Sequence, residues 1–156
     1  MSTPKRAPSR VARAQIERLY WRAGFGVLPA DLDRLARAGT KAAIRELLFA
    51  KGPQLRKGPE PTVDGQPIDP INVYGHDVLW WLDRMVRGRY QLVERMTLNW
   101  HDHFATSNEK VGDVRLMQRQ YYTLRSRALG SFRKLAQEMV QDHAMQRFLD
   151  LDNSDK

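Results

Sequence analysis

Apolar side chains recur along most of the chain at spacings of three and four residues, the pattern of helices that bury one face. The pattern predicts an all-α fold, an irregular bundle of about seven helices, and it lacks the sustained alternation typical of strands. Local residues predict the helix limits: a first helix is expected to begin near Ser9, Thr40 and Asp113 are expected N-caps, and Gly24 and Gly39 close helices. Gly24 is expected to adopt the left-handed conformation of a helix C-cap.

Three segments depart from the helical pattern. Residues 1–8 contain two prolines and no apolar periodicity, which predicts a disordered basic tail. Residues 51–70 are rich in proline and glycine and predict one long mobile loop or insert, or a functional lid. Residues 106–110 are polar and predict a connector. We expect residues 9–156 to form a single helical domain around these features.

Charge is distributed unevenly along the chain. Its net charge is +8, and residues 1–57 hold 13 Lys/Arg against 4 Asp/Glu. A basic N-terminal third could bind a phosphate backbone, as in nucleic acid. The chain has no recognisable DNA-reading motif, so we favour a solvated helix face over a nucleic-acid partner.

Composition excludes several other classes of protein. The chain contains no run of 18 apolar residues, so its sequence predicts no transmembrane segment. No apolar stretch follows the basic N-terminus, so it predicts no signal peptide in this part of the chain. The sequence therefore leaves the compartment open. It contains no cysteine, which excludes disulfides and thiolate metal sites.

Candidate chemistry centres on two histidines in one helical stretch. Taking Met96 as the centre of its apolar face, His103 lies about 20° away and is expected to be buried. His101 lies about 140° round and is expected to face solvent. Asn99 and Thr106 fall on the same flank as His103 and could orient its ring.

Two interpretations of His103 remain open. In the first, which we favour, it is a core histidine whose nitrogens are satisfied by hydrogen bonds. In the second, His103 is a divalent-metal ligand or a general base, with Asn99 in support. His101 and His103 cannot hold one metal ion from a regular helix, because two-residue spacing separates them by about 200°.

Three parts of the chain together resemble a bacterial family, the domain of unknown function numbered 1800. The resemblance spans most of residues 16–150 apart from the proline-rich stretch, and its motifs are Arg18–Gly26 with Pro29–Asp31, Glu94–Ser107, and Arg127–Phe132 with Asp142–Met145 and Phe148–Asp150. It implies a largely helical, uncharacterised protein longer than this chain. In such proteins an acidic segment follows the part that matches Leu149 and Asp150. Since this chain stops at Lys156, we expect it to be the N-terminal portion of the family domain.

The leading hypothesis is therefore an uncharacterised helical module that is non-catalytic or catalytically incomplete. Its partner would be another protein or the C-terminal part of its own family domain. The alternative is half of an enzyme site, in which His103 acts with downstream carboxylates as a metal ligand or general base. Phosphate-backbone binding by residues 1–57 is the third hypothesis.

Overall fold

A computed structural model describes residues 7–151, so most of the predicted N-terminal tail lies outside the described residues. Within that range the chain forms nine helices: α1 (Arg10–Ala23), α2 (Pro29–Ala38), α3 (Thr40–Leu48), α4 (His76–Arg87), α5 (Gln91–Phe104), α6 (Asn108–Val111), α7 (Val114–Arg127), α8 (Phe132–Val140) and α9 (His143–Phe148). Two short strands, β1 (Thr62–Val63) and β2 (Gln66–Pro67), form one antiparallel pair. The all-α prediction is confirmed. No described helix is long and apolar enough to cross a membrane.

Contacts group the chain into two compact units. The first extends to Arg56 and includes Gly88–Leu92; the second comprises Lys57–Arg87 and the residues from Val93 on. Helix α5 therefore begins in the first unit and continues through the second.

The first unit is built from α1, α2 and α3 around one apolar core. All three helices contribute buried side chains to it, among them Ile16, Leu35, Ala43 and Leu47. Helix α1 begins where the sequence predicts, and the Ser9 hydroxyl caps it by accepting a hydrogen bond from the Ala12 N–H at 3.1 Å. An antiparallel bridge between Leu55 and Gly88 closes the unit by joining its two chain segments.

Two predicted helix boundaries of the first unit are wrong in detail. Gly24 is not left-handed, since its φ is −160°. A glycine is needed there because a Cβ would lie 2.7 Å from Oε1 of Gln91, the oxygen that accepts the Phe25 N–H at 2.7 Å. The N-cap of α3 is Gly39, at φ 89°, and Thr40 is already the first helical residue.

The second unit contains α4, α6 to α9, and most of α5. Leu124 of α7 packs with Leu135 and Met139 of α8, and Trp100 and Phe104 of α5 cover this core. Carboxylate caps begin two of its helices, as their position in the sequence favours. Asp113 accepts the N–H groups of Arg115 and Leu116, and Asp142 accepts that of Met145.

Two connecting segments carry structure that the sequence did not indicate. The predicted polar connector, residues 106–110, overlaps α6, and Val111 at the end of α6 is buried. Within residues 51–70, Thr62 pairs with Pro67 across a tight turn. Arg87 of α4 binds Glu60 at 3.2 Å and also pairs with Asp83, so the turn-bearing segment is tied to α4 by charge-assisted hydrogen bonds.

Candidate functional site

The structure reverses the predicted orientations of the two histidines on α5. His103 is exposed, and its ring centroid lies 5.1 Å from that of Phe104 and 6.0 Å from that of Phe132. His101 is half-buried, and its ring centroid lies 4.9 Å from that of Trp81. The prediction that His103 is buried and His101 faces solvent is therefore wrong.

The cause of this reversal is a buried acid on the same helix. Glu94 is only 2% exposed, and its carboxylate accepts hydrogen bonds from the Tyr121 hydroxyl at 2.8 Å and from Nε of Arg125 at 2.7 Å. With these partners a carboxylate can be buried, so the inward face of α5 passes through Glu94, Thr97 and His101. The periodic pattern assigns polar residues such as Glu94 to the solvent side, so the predicted buried face of α5 is rotated about the helix axis from the observed one.

The two residues expected to support His103 lie elsewhere. Asn99 is exposed on α5. Thr106 is buried, and its hydroxyl donates to the side-chain carbonyl of Gln120, which in turn donates from Nε2 to Asp142 at 2.8 Å. Neither residue contacts His103 through a hydrogen bond within the described chain. The assignment of His103 and Asn99 to a site stays a prediction.

His101 instead lines a pocket of about 230 Å³ in the second unit. We call it the aromatic pocket; its walls include Trp80 and Trp81 of α4 and Tyr121 of α7, and its polar groups include Asp77, His101, Ser107 and Gln118. Trp80 and Trp81 each contact Tyr121 edge to face, with ring centroids 5.0 and 5.3 Å from that of Tyr121. Edge-to-face packing fixes the ring orientations, so the walls are preorganised.

The polar groups of the aromatic pocket are incompletely paired. Oδ1 of Asp77 and Nε1 of Trp81 are buried, and neither has a hydrogen-bond partner among the described residues. Burial lowers the pKa of His101, and the nearby charge of Asp102 only partly opposes that effect. The imidazole is therefore neutral near pH 7, which leaves Asp77 as the charged group that lines the pocket.

The sequence contains one signal for this pocket, the spacing of Asp77 and Trp81. Asp77 and Trp81 are four residues apart, so on one helix they share a face. An acid in the first turn of a helix is ordinarily explained by its favourable interaction with the helix dipole, so the sequence alone gives no reason to assign Asp77 a functional role. Only its placement beside rings from α4 and α7 makes it a candidate functional residue.

Within residues 7–151, no group of three or more histidine or acidic side chains is arranged to hold a metal ion. Asp77 and His101 line one pocket, and His103 lies on another surface. The described residues thus offer two potential ligands at one place and no complete set.

Comparison with known proteins gives a family. A family model described as "Protein of unknown function (DUF1800)" matches residues 18–156. No curated protein and no solved structure matches the chain significantly. The family match covers most of the chain and confirms the resemblance found in its motifs. The chain therefore belongs to the DUF1800 family of proteins of unknown function.

Proposed function

We propose that this chain is a non-catalytic binding module whose aromatic pocket takes a compact organic ammonium cation. The observation that carries the proposal is the unpaired carboxylate oxygen of Asp77 beside the rings of Trp80, Trp81 and Tyr121. A ring face attracts a cation through its quadrupole, and a nearby carboxylate adds direct charge attraction.

Charge and size both favour this class of ligand. No Lys or Arg side chain of residues 7–151 lines the pocket. Arg84 already lies over one face of Trp80, 4.4 Å from the ring, and Tyr121 is only 3% exposed, so a ligand would contact mainly the ring of Trp81. At about 230 Å³ the pocket is smaller than the roughly 300–1,000 Å³ typical of drug-sized ligands, so it suits a compact headgroup.

The groups around the pocket favour binding over catalysis. The His101 ring forms no hydrogen bond with any described residue, and the Thr106 hydroxyl is committed to Gln120. An activated nucleophile needs a base within hydrogen-bond reach and a third group that orients the base. Within the described chain, the His101 ring is hydrogen-bonded neither to a nucleophile nor to a group that would orient it.

Choline and its neutral carbon isostere, 3,3-dimethylbutan-1-ol, provide the test. By isothermal titration calorimetry we expect choline to bind about tenfold more tightly than the isostere, since a desolvated cation–π contact is worth ~1–2 kcal/mol. Asp77→Asn should lower this preference, because it removes the direct charge attraction and leaves the cation–π contacts, while affinity for the isostere stays unchanged. The matched control is Asp64→Asn, which removes one charge from the exposed turn between β1 and β2.

Equal affinity for the two ligands would contradict the proposal, as would an equal loss of choline affinity in both variants. Binding of neither ligand would also overturn it, provided that the unfolding transition shows a folded protein.

The half-site alternative makes a separate prediction about His103. Under our proposal, protein purified without chelators or a histidine tag contains no stoichiometric divalent metal by elemental mass spectrometry. His103→Ala should change the free energy of unfolding by less than about 1 kcal/mol, because the side chain is exposed. Stoichiometric metal that disappears in His103→Ala, with the fold intact, would instead support a metal site completed by carboxylates outside the described residues.

A further inference from the structure

A second cavity, of about 580 Å³, lies in the first unit and has the opposite charge. We call it the basic cavity; four cationic side chains line it, namely Arg45, Lys51, Arg56 and Arg89. The fold explains why they meet. Arg45 and Lys51 flank the end of α3. The Arg89 N–H donates to the Gln54 carbonyl at 2.9 Å, and this antiparallel contact brings residues 54–56 beside Arg89.

Two of the nearby acids are already neutralised. Arg56 pairs with Asp31 at 3.0 Å, and Glu46, which also lines the cavity, pairs with Arg34 at 2.8 Å. Arg34 also binds Asp31 at 3.0 Å, so two arginines and two carboxylates form one balanced network. This network holds Arg56 at the wall of the cavity and leaves the other cations uncompensated.

The three remaining cations, Arg45, Lys51 and Arg89, are exposed and make no ion pair with a described residue. Like charges around one concave surface repel one another and create a positive potential that concentrates anions. Arginine and lysine are the side chains that recognise phosphate, arginine through paired N–H donors and lysine as a point charge. The basic cavity therefore has the charge of a phosphate site.

An aromatic ring completes the cavity. Phe49 lines it and is 67% exposed, although a phenylalanine ordinarily buries its ring. Its backbone is fixed as the C-cap of α3, where its N–H donates to the Arg45 carbonyl at 2.9 Å. An exposed ring beside cations suits a ligand that carries both a phosphate and a planar base, because any base can stack on it.

We propose that the basic cavity binds a nucleoside diphosphate or a ligand of the same chemistry. Its phosphates are bound by Arg45, Lys51 and Arg89, and its base stacks on Phe49. The volume of about 580 Å³ falls within the roughly 300–1,000 Å³ usual for small-ligand sites. One ring in one cavity favours a mononucleotide over a nucleic-acid strand, which needs successive stacking platforms. This site lies apart in sequence from the aromatic pocket and does not depend on the function proposed there.

The test is calorimetric titration of the full chain at low salt with ADP, adenosine and pyrophosphate. We expect ADP to bind more tightly than either fragment, with an affinity that falls as salt rises. Lys51→Ala and Arg89→Ala should each weaken ADP about tenfold, the effect of losing one charge-assisted phosphate contact. Lys41→Ala is the matched control, since Lys41 is exposed on α3 and does not line the cavity, and it should change affinity less than about twofold.

Phe49→Ala separates the two halves of the ligand. It should weaken ADP at least about fivefold and leave pyrophosphate affinity unchanged, because stacking contributes to the base alone. Thermal unfolding of each variant, followed by circular dichroism, checks that the fold is retained. Pyrophosphate binding as tight as ADP would overturn the proposal, as would equal losses in Lys51→Ala and Lys41→Ala. A 20-nucleotide single strand that binds when ADP does not would also overturn it and support a nucleic-acid partner.

Discussion

Glu94→Ala is expected to lower the free energy of unfolding by about 3–5 kcal/mol, the usual effect of removing one partner from a buried ion pair. Glu94 is 2% exposed and compensates the Arg125 guanidinium, whose side chain is 17% exposed. In this variant Arg125 would keep its charge in a largely buried position without the Glu94 carboxylate beside it. The Tyr121 hydroxyl would lose its acceptor in the same variant.

Urea unfolding followed by circular dichroism measures this loss. Glu109→Ala serves as the control, because Glu109 is exposed and the change should fall within about 0.5 kcal/mol. Glu94→Gln keeps an acceptor for Tyr121 and removes only the charge, so it should lie between the wild type and Glu94→Ala. Similar stabilities for Glu94→Ala and Glu109→Ala would show that the buried pair does not stabilise the fold.

The pKa values around Glu94 show the same interaction from its partners. Burial raises the pKa of Tyr121, and the Glu94 carboxylate raises it further. Burial alone would lower the pKa of Arg125, but the hydrogen bond and the charge of Glu94 outweigh it and the pKa is raised. Both side chains therefore keep their protons throughout the neutral range.

Gln120→Leu is expected to cost about 2–4 kcal/mol, although leucine has nearly the volume of glutamine. Gln120 is 0% exposed and connects two other buried groups, Thr106 and Asp142. Leucine would leave the Thr106 hydroxyl without its acceptor and the Asp142 carboxylate without one donor. Since Asp142 also caps α9, the loss should extend to that helix.

A double-mutant cycle in urea tests whether these residues act as a network. Thr106→Val removes the hydroxyl that donates to Gln120. The variant that combines it with Gln120→Leu should therefore lose less free energy of unfolding than the sum of the two single losses. Gln141→Leu, at an exposed position, should change stability by no more than about 0.5 kcal/mol. Strict additivity of the two buried changes would contradict a network.

The periodic pattern predicted the helices well because each helix must bury a continuous apolar stripe. The core of the first unit, Ile16 with Leu35 and Leu47, follows that rule. Caps at Ser9, Asp113 and Asp142 were also predictable, since a side-chain oxygen meets the free N–H groups within three residues. Local rules of this kind depend only on neighbours in sequence.

The candidate site depended on contacts distant in sequence. Gly24 is required by Gln91, 67 positions along the chain, and not by its own backbone angles. His101 became a pocket residue because Glu94 is paired with side chains of α7, which turns α5 about its axis. The sequence of α5 alone does not predict these partners on α7.

The sequence by itself therefore determined the helical class, most helix limits and the family motifs, because these follow from periodicity, capping chemistry and residue order. The tertiary structure decided which polar residues are buried, which histidine lines a pocket, and which cations surround a cavity. The physical reason is that a polar group can be buried only where a partner compensates its lost hydration. For Glu94, Gln120 and Asp142 that partner comes from a part of the chain distant in sequence.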